Sequence, residues 1–316
     1  MATRKAPRKG SLQFWPRKRA SKFLPRVNWE ILPQDNSVKL QGFICYKAGM
    51  KSAYVKDNTP DSMTKGKGIV VPVTVLECPT MRIYSVRFYK NGIVAKDVLA
   101  ESFDKELKRK VRMPKKKHEF GKVNHEDYDN VKIIIYSQVK KIGLKKTPDL
   151  SEVALSGSLQ EKINFIKENL HKEFSISDFF GKGELIDVRG LTRGKGLQGP
   201  VRRFGITLKF HKSEKGVRRP GSLGPWHPAR TTFRAPMAGQ LGMFTRVVYN
   251  NKILGIVKHT EKKELNNIKN YGNVHGDYIV LAGSVQGTAK RQLLITRSFR
   301  PTVKQSKKNM EFVELR

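Results

Sequence analysis

The chain contains 316 residues, and its 63 Lys and Arg against 27 Asp and Glu give a formal net charge of +36. This excess lies far beyond the charge that keeps a free protein soluble, so we expect a polyanionic partner. The apolar runs are far shorter than the roughly 20 residues of a membrane span, which excludes a transmembrane protein.

Residues 1–37 are predicted to form a basic N-terminal extension. Met1 to Glu30 contains nine basic residues and one acid. Such a segment cannot bury enough apolar surface to fold alone, so we expect irregular structure unless counter-charge surrounds it. Four large aromatic residues are interspersed among the cations: Phe14, Trp15, Phe23 and Trp29. This pattern suits stacking on bases while the cations pair with phosphates, although a flexible solvated tail is the alternative.

Six short segments rich in β-branched and aromatic residues are predicted to be strands: 40–55, 69–78, 81–90, 246–256, 277–285 and 291–298. Short strands at close spacing with no helices between them are typical of a small closed barrel. We assign this barrel to residues 38–96 and 246–316. The long gap between the third and fourth strands predicts insertions in the barrel.

The first insertion, residues 97–187, is nearly neutral, with 18 basic and 16 acidic residues. A capping-box pair followed by apolar residues at helical spacing predicts an amphipathic helix over 158–171. The segment 131–138 is a predicted strand. We therefore expect an inserted α/β subdomain, with an exposed basic loop over 113–118.

Residues 188–245 are predicted to form a Gly-rich basic central extension. The glycines of 194–199 have the G-x-G-x-x-G spacing of dinucleotide-binding turns, and the segment 184–189 can supply the preceding strand. Pro200 and Gly205 leave no room for the long helix that such a site needs, and Glu214 is the only acid from Arg189 to Arg234. We therefore reject a nucleotide cofactor.

The glycines of the central extension have another explanation. From Arg189 to Arg234 the chain contains twelve basic residues, eight glycines and one acid, Glu214. Glycines allow a thin, extended chain to pass close to phosphates. Trp226 lies between Pro225 and Pro228, which predicts a rigid tip with one projecting ring.

No catalytic or metal site is predicted. His227 and Ser222 could be a base and a nucleophile, but no Asp or Glu lies within 215–252 to orient the imidazole, so its partner would have to come from elsewhere in the fold. Cys45 and Cys78 occur singly, which argues against a zinc site and a disulfide framework and favours a reduced intracellular compartment.

Two other protein classes compete with a structural RNA-binding protein. An RNA-modifying enzyme with a barrel domain would need a catalytic carboxylate or thiol beside its basic cleft, and the sequence offers none. A chromatin or DNA-packaging protein would account for the charge. It would not account for the glycine-rich arms, which suit irregular folded RNA better than a regular duplex.

Several motifs of the chain occur in the order typical of one family. They are RKGSLQFWPRKRA (8–20), IVVPVTVLE (69–77), TRGKGLQGPVRRFG (192–205), GPWHPAR (224–230), MAGQLG (237–242), GDYIVLAGSV (276–285) and GTAKR (287–291). With these motifs the sequence resembles the universal large-subunit ribosomal protein L-three family, in its archaeal and eukaryotic form. The resemblance covers nearly the whole chain.

This resemblance implies a β-dominated α+β fold with a six-stranded translation-protein-type β-barrel, an inserted α/β subdomain and long irregular basic extensions. It implies a structural constituent of the large ribosomal subunit that binds ribosomal RNA near its 3′ end, supports early subunit assembly and reaches toward the peptidyl transferase centre. Ribosomal protein L-fourteen is the expected neighbour. We expect a cytoplasmic monomer within the ribosome, with no catalysis, cofactor, metal, membrane contact or small-molecule substrate.

Trp226 matches the finger-tip tryptophan of the family, and Arg218 and Arg219 fall in its neighbouring basic stretch. Glu214 stands where the eukaryotic pattern has a histidine, so no modification of that histidine is carried over. The predicted RNA-binding residues are Arg8, Lys9, Trp15, Arg17, Lys18, Arg19, Arg26, Arg193, Gly194, Lys195, Gly196, Arg202, Arg203, Lys209, His211, Lys212, Lys215, Arg218, Arg219, Trp226, His227, Arg230, Arg234 and Gln240.

Overall fold

The computed structural model describes residues 10–33, 37–114, 120, 127–258 and 265–316. The strands in these ranges are β1 Gly42–Asp57, β2 Gly68–Glu77, β3 Met81–Lys90, β4 Ile93–Leu99, β5 Asn130–Ser137, β6 Leu150–Ala154, β7 Leu185–Leu191, β8 Leu197–Gln198, β9 Gly239–Gln240, β10 Thr245–Val257, β11 Tyr278–Ala282, β12 Gln292–Arg297 and β13 Met310–Leu315. The α-helices are α1 Leu159–Asn169, α2 Pro200–Phe204 and α3 Val303–Ser306, and 3-10 helices cover Lys105–Arg109 and Ile176–Asp178.

The described residues form two compact units. We name the first the extension unit, which consists of residues 10–22 and 191–245. The second, the sheet unit, consists of the described parts of 23–190 and 246–316. Strands are more abundant than helices, which confirms the predicted β-dominated α+β class.

The larger sheet of the sheet unit has seven strands in the order β12-β7-β10-β11-β2-β1-β13. The 16-residue strand β1 pairs with three antiparallel partners along its length. Its first part lies against β12, with Phe43 opposite Ile295, and its last part lies against β13. Because β12 also pairs with β7, the hydrogen-bonded order returns to β12 through β1.

A second sheet has the order β4-β3-β5-β6. Helix α1 begins at a capping box formed by Ser158 and Glu161, as the sequence predicts. Ile163 and Ile166 on this helix are buried. The predictions of a helix over 158–171 and a strand over 131–138 are therefore confirmed, with bounds that differ by one or two residues.

The two sheets share one apolar core. Phe43 of β1, Ile83 of β3, Ile133 of β5 and Ile163 of α1 belong to the same buried cluster, and each is at most 1% exposed. A separate cluster contains residues of β2, β10 and β11. No helix among the described residues is long and apolar enough to cross a membrane.

All six predicted strands form, but the third lies in the smaller sheet. Residues 81–90 form β3, which lies between β4 and β5 in the smaller sheet. Strand β7, which was not counted among the six, lies between β12 and β10 in the larger sheet. Alternation of apolar residues predicts that a segment is a strand, but it does not specify the neighbouring strand.

Strands β4, β6 and β13 were not predicted. Each is short and carries charged residues, so their apolar periodicity is weak. The division into segments 1–37, 38–96 with 246–316, 97–187 and 188–245 stays a prediction. Residues 115–118 of the predicted basic loop lie outside the described residues.

Candidate RNA-binding interface

The extension unit combines strong positive charge with exposed apolar side chains, among them Leu197, Phe210 and Trp226. Residues 10–22 contain four Lys and Arg and no acid, and residues 191–245 contain eleven Lys and Arg and one acid, Glu214. At most one carboxylate within the unit is therefore available to these cations. A surface of this kind attracts polyanions over distances of about a Debye length.

Short elements shape the unit. Strands β8 and β9 pair antiparallel, with Leu197 opposite Gln240. Helix α2 has Gly199 as its N-cap and Gly205 as its C-cap, and the φ of 63° at Gly205 is left-handed. This helix has five residues, which confirms the prediction that no long helix follows the glycine motif. At Gly242, a Cβ atom would collide with the carbonyl oxygen of Arg193, so only glycine fits there.

Three rings, Trp15, Phe204 and Phe233, form what we call the aromatic cluster. Trp15 stacks on Phe204, with ring centroids 6.1 Å apart and an interplanar angle of 17°. Phe233 meets Trp15 edge-on at 5.4 Å. The Arg17 guanidinium lies 4.4 Å from the centroid of Phe204. Phe204 is buried, and Trp15 stacks on it. Through Trp15, residues 10–22 therefore supply part of the apolar interior of the unit.

Arg17 and Arg203 connect the two chain segments through backbone carbonyls. Arg17 Nη1 donates to the carbonyl oxygen of Arg203 at 3.1 Å, and Arg203 Nη2 donates to that of Arg17 at 3.4 Å. Arg203 also donates to the carbonyl oxygens of Met237 at 3.0 Å and Gln240 at 3.1 Å. Its partial burial lowers the pKa of the guanidinium. Arg203 therefore holds α2, the 237–240 segment and the N-terminal segment together.

Most of the other predicted RNA-binding residues are exposed. In the extension unit these are Lys18, Arg19, Arg193, Gly194, Lys195, Gly196, Arg202, Lys209, His211, Lys212, Lys215, Arg218, Arg219, Trp226, His227, Arg230 and Arg234. Arg26 is exposed in the sheet unit. Every residue of 221–230 is exposed, and the side chain of Trp226 is exposed to 87%.

Four predicted residues are only half-exposed: Trp15, Arg17, Arg203 and Gln240. The Gln240 side-chain amide donates to the carbonyl oxygens of Leu241 and Gly242. All four therefore contact protein within the extension unit. The predicted residues Arg8 and Lys9 lie outside the described residues.

The structure corrects the interpretation of Trp29. This ring is 5% exposed, and a Cβ at Gly42 would lie 2.7 Å from one of its atoms. Trp29 is therefore a core residue of the sheet unit, and its ring cannot stack on bases. Phe204 and Phe233 could not be identified as partners of Trp15 from the sequence, because the three rings are far apart in the chain.

Among the described residues, no group of three or more His, Cys, Asp or Glu could hold a metal ion. The candidate site consists of exposed cations, the exposed indole of Trp226 and the packed residues that position them. This arrangement can bind phosphates and stack on a base.

The profile of the family described as Ribosomal protein L3 matches residues 1–316. The chain belongs to the ribosomal protein L3 family. A large ribosomal subunit protein uL3 from Methanocaldococcus jannaschii is 38% identical over 310 residues, covering 93% of this chain and 92% of the relative. The protein of the same name from Methanococcus aeolicus is 40% identical over 314 residues, with 94% and 92% covered.

As a member of the L3 family, the chain is a structural constituent of the large ribosomal subunit and not an enzyme. It associates there with ribosomal RNA and other ribosomal proteins. The predictions of a ribonucleoprotein component of the cytoplasmic ribosome, acting in translation, are confirmed by this membership.

Proposed function

We propose that the extension unit binds large-subunit ribosomal RNA near its 3′ end and reaches through it toward the peptidyl transferase centre. The observation that carries this proposal is the charge of one compact unit, fifteen basic residues against Glu214. Neutralising phosphates with these cations releases counterions, which is the dominant sequence-independent contribution to binding.

The exposed and half-buried residues have different roles in this proposal. Exposed cations such as Arg202, Arg218 and Arg219 contact phosphates. Trp226, on an entirely exposed loop, stacks on a nucleotide. Arg17 and Arg203, whose guanidinium groups bond carbonyls, position the exposed residues and contribute less direct contact with RNA.

The sheet unit is proposed to anchor the extension unit on the subunit. We infer that β12, β7, β10, β11, β2 and β1 form a closed barrel, an inference supported by the pairing of β12 with both β7 and β1. The resemblance supports two further proposals, contact with ribosomal protein L-fourteen and a role early in subunit assembly.

Salt-dependent binding to RNA tests the proposed interface. The full-length chain would be titrated into a labelled fragment from the 3′ region of large-subunit ribosomal RNA at several salt concentrations. The double variant Arg218→Gln/Arg219→Gln should reduce the slope of log affinity against log salt by about 2, because each phosphate contact contributes about 1.

The matched control removes two charges from an exposed hairpin of the sheet unit. Lys90→Gln/Lys96→Gln changes the net charge by the same amount at exposed positions of β3 and β4. Its slope should equal that of the unaltered chain. Equal reductions in both double variants would show that total charge, and not the extension unit, determines binding.

A further inference from the structure

Cys45 and Cys78 lie side by side in the core of the sheet unit. Their Sγ atoms are 2.9 Å apart, and the two residues are 0% and 2% exposed. Strands β1 and β2 are antiparallel with Tyr46 opposite Glu77, so the same register, continued by one residue, places the two cysteines opposite each other. The sequence gives no hint of this pairing, because 32 residues separate the cysteines.

The backbone geometry at this position suits a disulfide. Directly opposed residues of antiparallel strands have Cα atoms about 4.5 to 5.5 Å apart, and disulfides join Cα atoms about 4.4 to 6.8 Å apart. Cys45 is also fixed against Leu293 of β12, and the Cys78 backbone N–H donates to the carbonyl oxygen of Asp277 at 2.7 Å. Both thiols are thus held face to face by strand pairing on either side.

We propose that Cys45 and Cys78 form an intramolecular disulfide when the chain folds in the presence of a small-molecule disulfide such as oxidised glutathione. One cysteine thiolate attacks the small disulfide, forms a mixed disulfide and releases one small thiolate. The second cysteine thiolate then attacks the protein sulfur of the mixed disulfide and releases the other small thiolate. The two protein thiols lose two protons and two electrons, and the small disulfide is reduced to two thiols.

Burial determines when this exchange takes place. Burial raises the pKa of the Cys78 thiol, and the adjacent Cys45 raises it further, so the folded protein contains little of the reactive thiolate. Exchange is therefore fast in the unfolded or partly folded chain and slow in the native one. The same burial protects the finished disulfide from reducing agents.

Folding should favour the disulfide strongly. Disulfide formation and folding are linked equilibria. The free energy by which the disulfide stabilises the folded state therefore equals the free energy by which folding favours the disulfide. For a loop of this length the factor is about five-hundredfold. The folded chain should therefore be half-oxidised at a glutathione ratio about five-hundredfold more reducing than the unfolded chain requires.

The test uses the full-length chain, reduced in denaturant and then equilibrated in mixtures of reduced and oxidised glutathione, both with and without denaturant. After an acid quench, denaturation and alkylation with a maleimide, intact mass counts the remaining thiols. The folded sample should show no adduct and a mass lower by two hydrogen atoms, and its circular dichroism should match the reduced protein.

Variants with one thiol provide the control. Cys45→Ala and Cys78→Ala should each retain one alkylatable thiol or one glutathione adduct while keeping the native circular dichroism spectrum. The proposal is overturned if the folded chain retains two adducts at ratios that oxidise the unfolded chain. It is also overturned if the oxidised chain has lost the native spectrum.

Discussion

The substitution Trp15→Ala tests whether residues 10–22 form part of the interior of the extension unit. It removes the stacked contact with Phe204 and the edge contact with Phe233, each worth about 0.5 to 1.5 kcal/mol beyond burial. A fully buried Trp→Ala substitution costs about 3 to 5 kcal/mol, and this ring is only partly buried. We therefore expect local opening of the extension unit to become easier by about 2 kcal/mol.

Hydrogen exchange of the free, full-length chain measures this local opening. Suitable amides are hydrogen-bonded within the extension unit: Ala20 to Met243, Lys195 to Leu241, Gly205 to Val201 and Leu241 to Gly196. A loss of about 2 kcal/mol should lower their protection about thirtyfold. Amides of β1 and β2 in the sheet unit should keep their protection and serve as an internal reference.

Trp226→Ala is the matched control, because it removes the same ring from a position exposed to 87%. It should leave protection of those amides unchanged. Unchanged protection in Trp15→Ala would show that the aromatic cluster does not stabilise the extension unit. Equal losses of protection in both tryptophan variants would show that the effect does not come from the aromatic cluster.

The remaining predictions concern RNA affinity, the exposed tryptophan and acid stability. If on the order of ten phosphates are neutralised, log affinity should fall with log salt at a slope of about −7 to −9, and a slope near zero in a binding titration would exclude the charged surface as the interface. Calorimetry of free Trp226→Ala should show the melting temperature of the unaltered chain, whereas a fall of several degrees would make Trp226 a packed residue. Hydrogen bonds from Thr59, Thr64 and Ser62 hold the pKa of Asp57 well below its usual range. These hydrogen bonds stabilise the fold above the unfolded pKa of about 4, and their stabilising effect is lost as pH falls through the lower folded pKa. Asp57→Asn should therefore be destabilising at pH 7. The difference in denaturant midpoint between the variant and the unaltered chain should shrink below about pH 4. A pH-independent difference would contradict this account.

The sequence predicted which segments are strands better than it predicted how they pair. Residues 81–90 form the predicted strand β3, because β-branched and aromatic side chains pack well on a pleated backbone. Whether β3 joins β2 or β5 depends on contacts between residues about fifty positions apart. Strand β4 does not follow from the sequence, because it is short and Lys96 and Asp97 interrupt its apolar residues.

The candidate site, like the fold, is only partly predictable from the sequence. Composition and glycine content identified the two basic segments, but they do not distinguish Arg202 from its neighbour Arg203. Arg202 is exposed, while Arg203 turns inward to carbonyl groups 34 to 37 residues away and to Arg17. That difference is set by the direction of side chains on the short helix α2 and by the position of β9, and neither follows from residue type.

Packing within the extension unit changes the energetics expected of its binding to RNA. Two independent disordered arms would lose backbone and side-chain entropy on binding, and this loss would reduce their affinity. Residues already held by the aromatic cluster and by Arg203 lose less, so their exposed neighbours bind with less ordering cost. Repulsion among fifteen cations opposes the same packing in the free protein. Added salt therefore stabilises the unbound extension unit by screening that repulsion while it weakens binding to RNA, because one set of charges governs both equilibria.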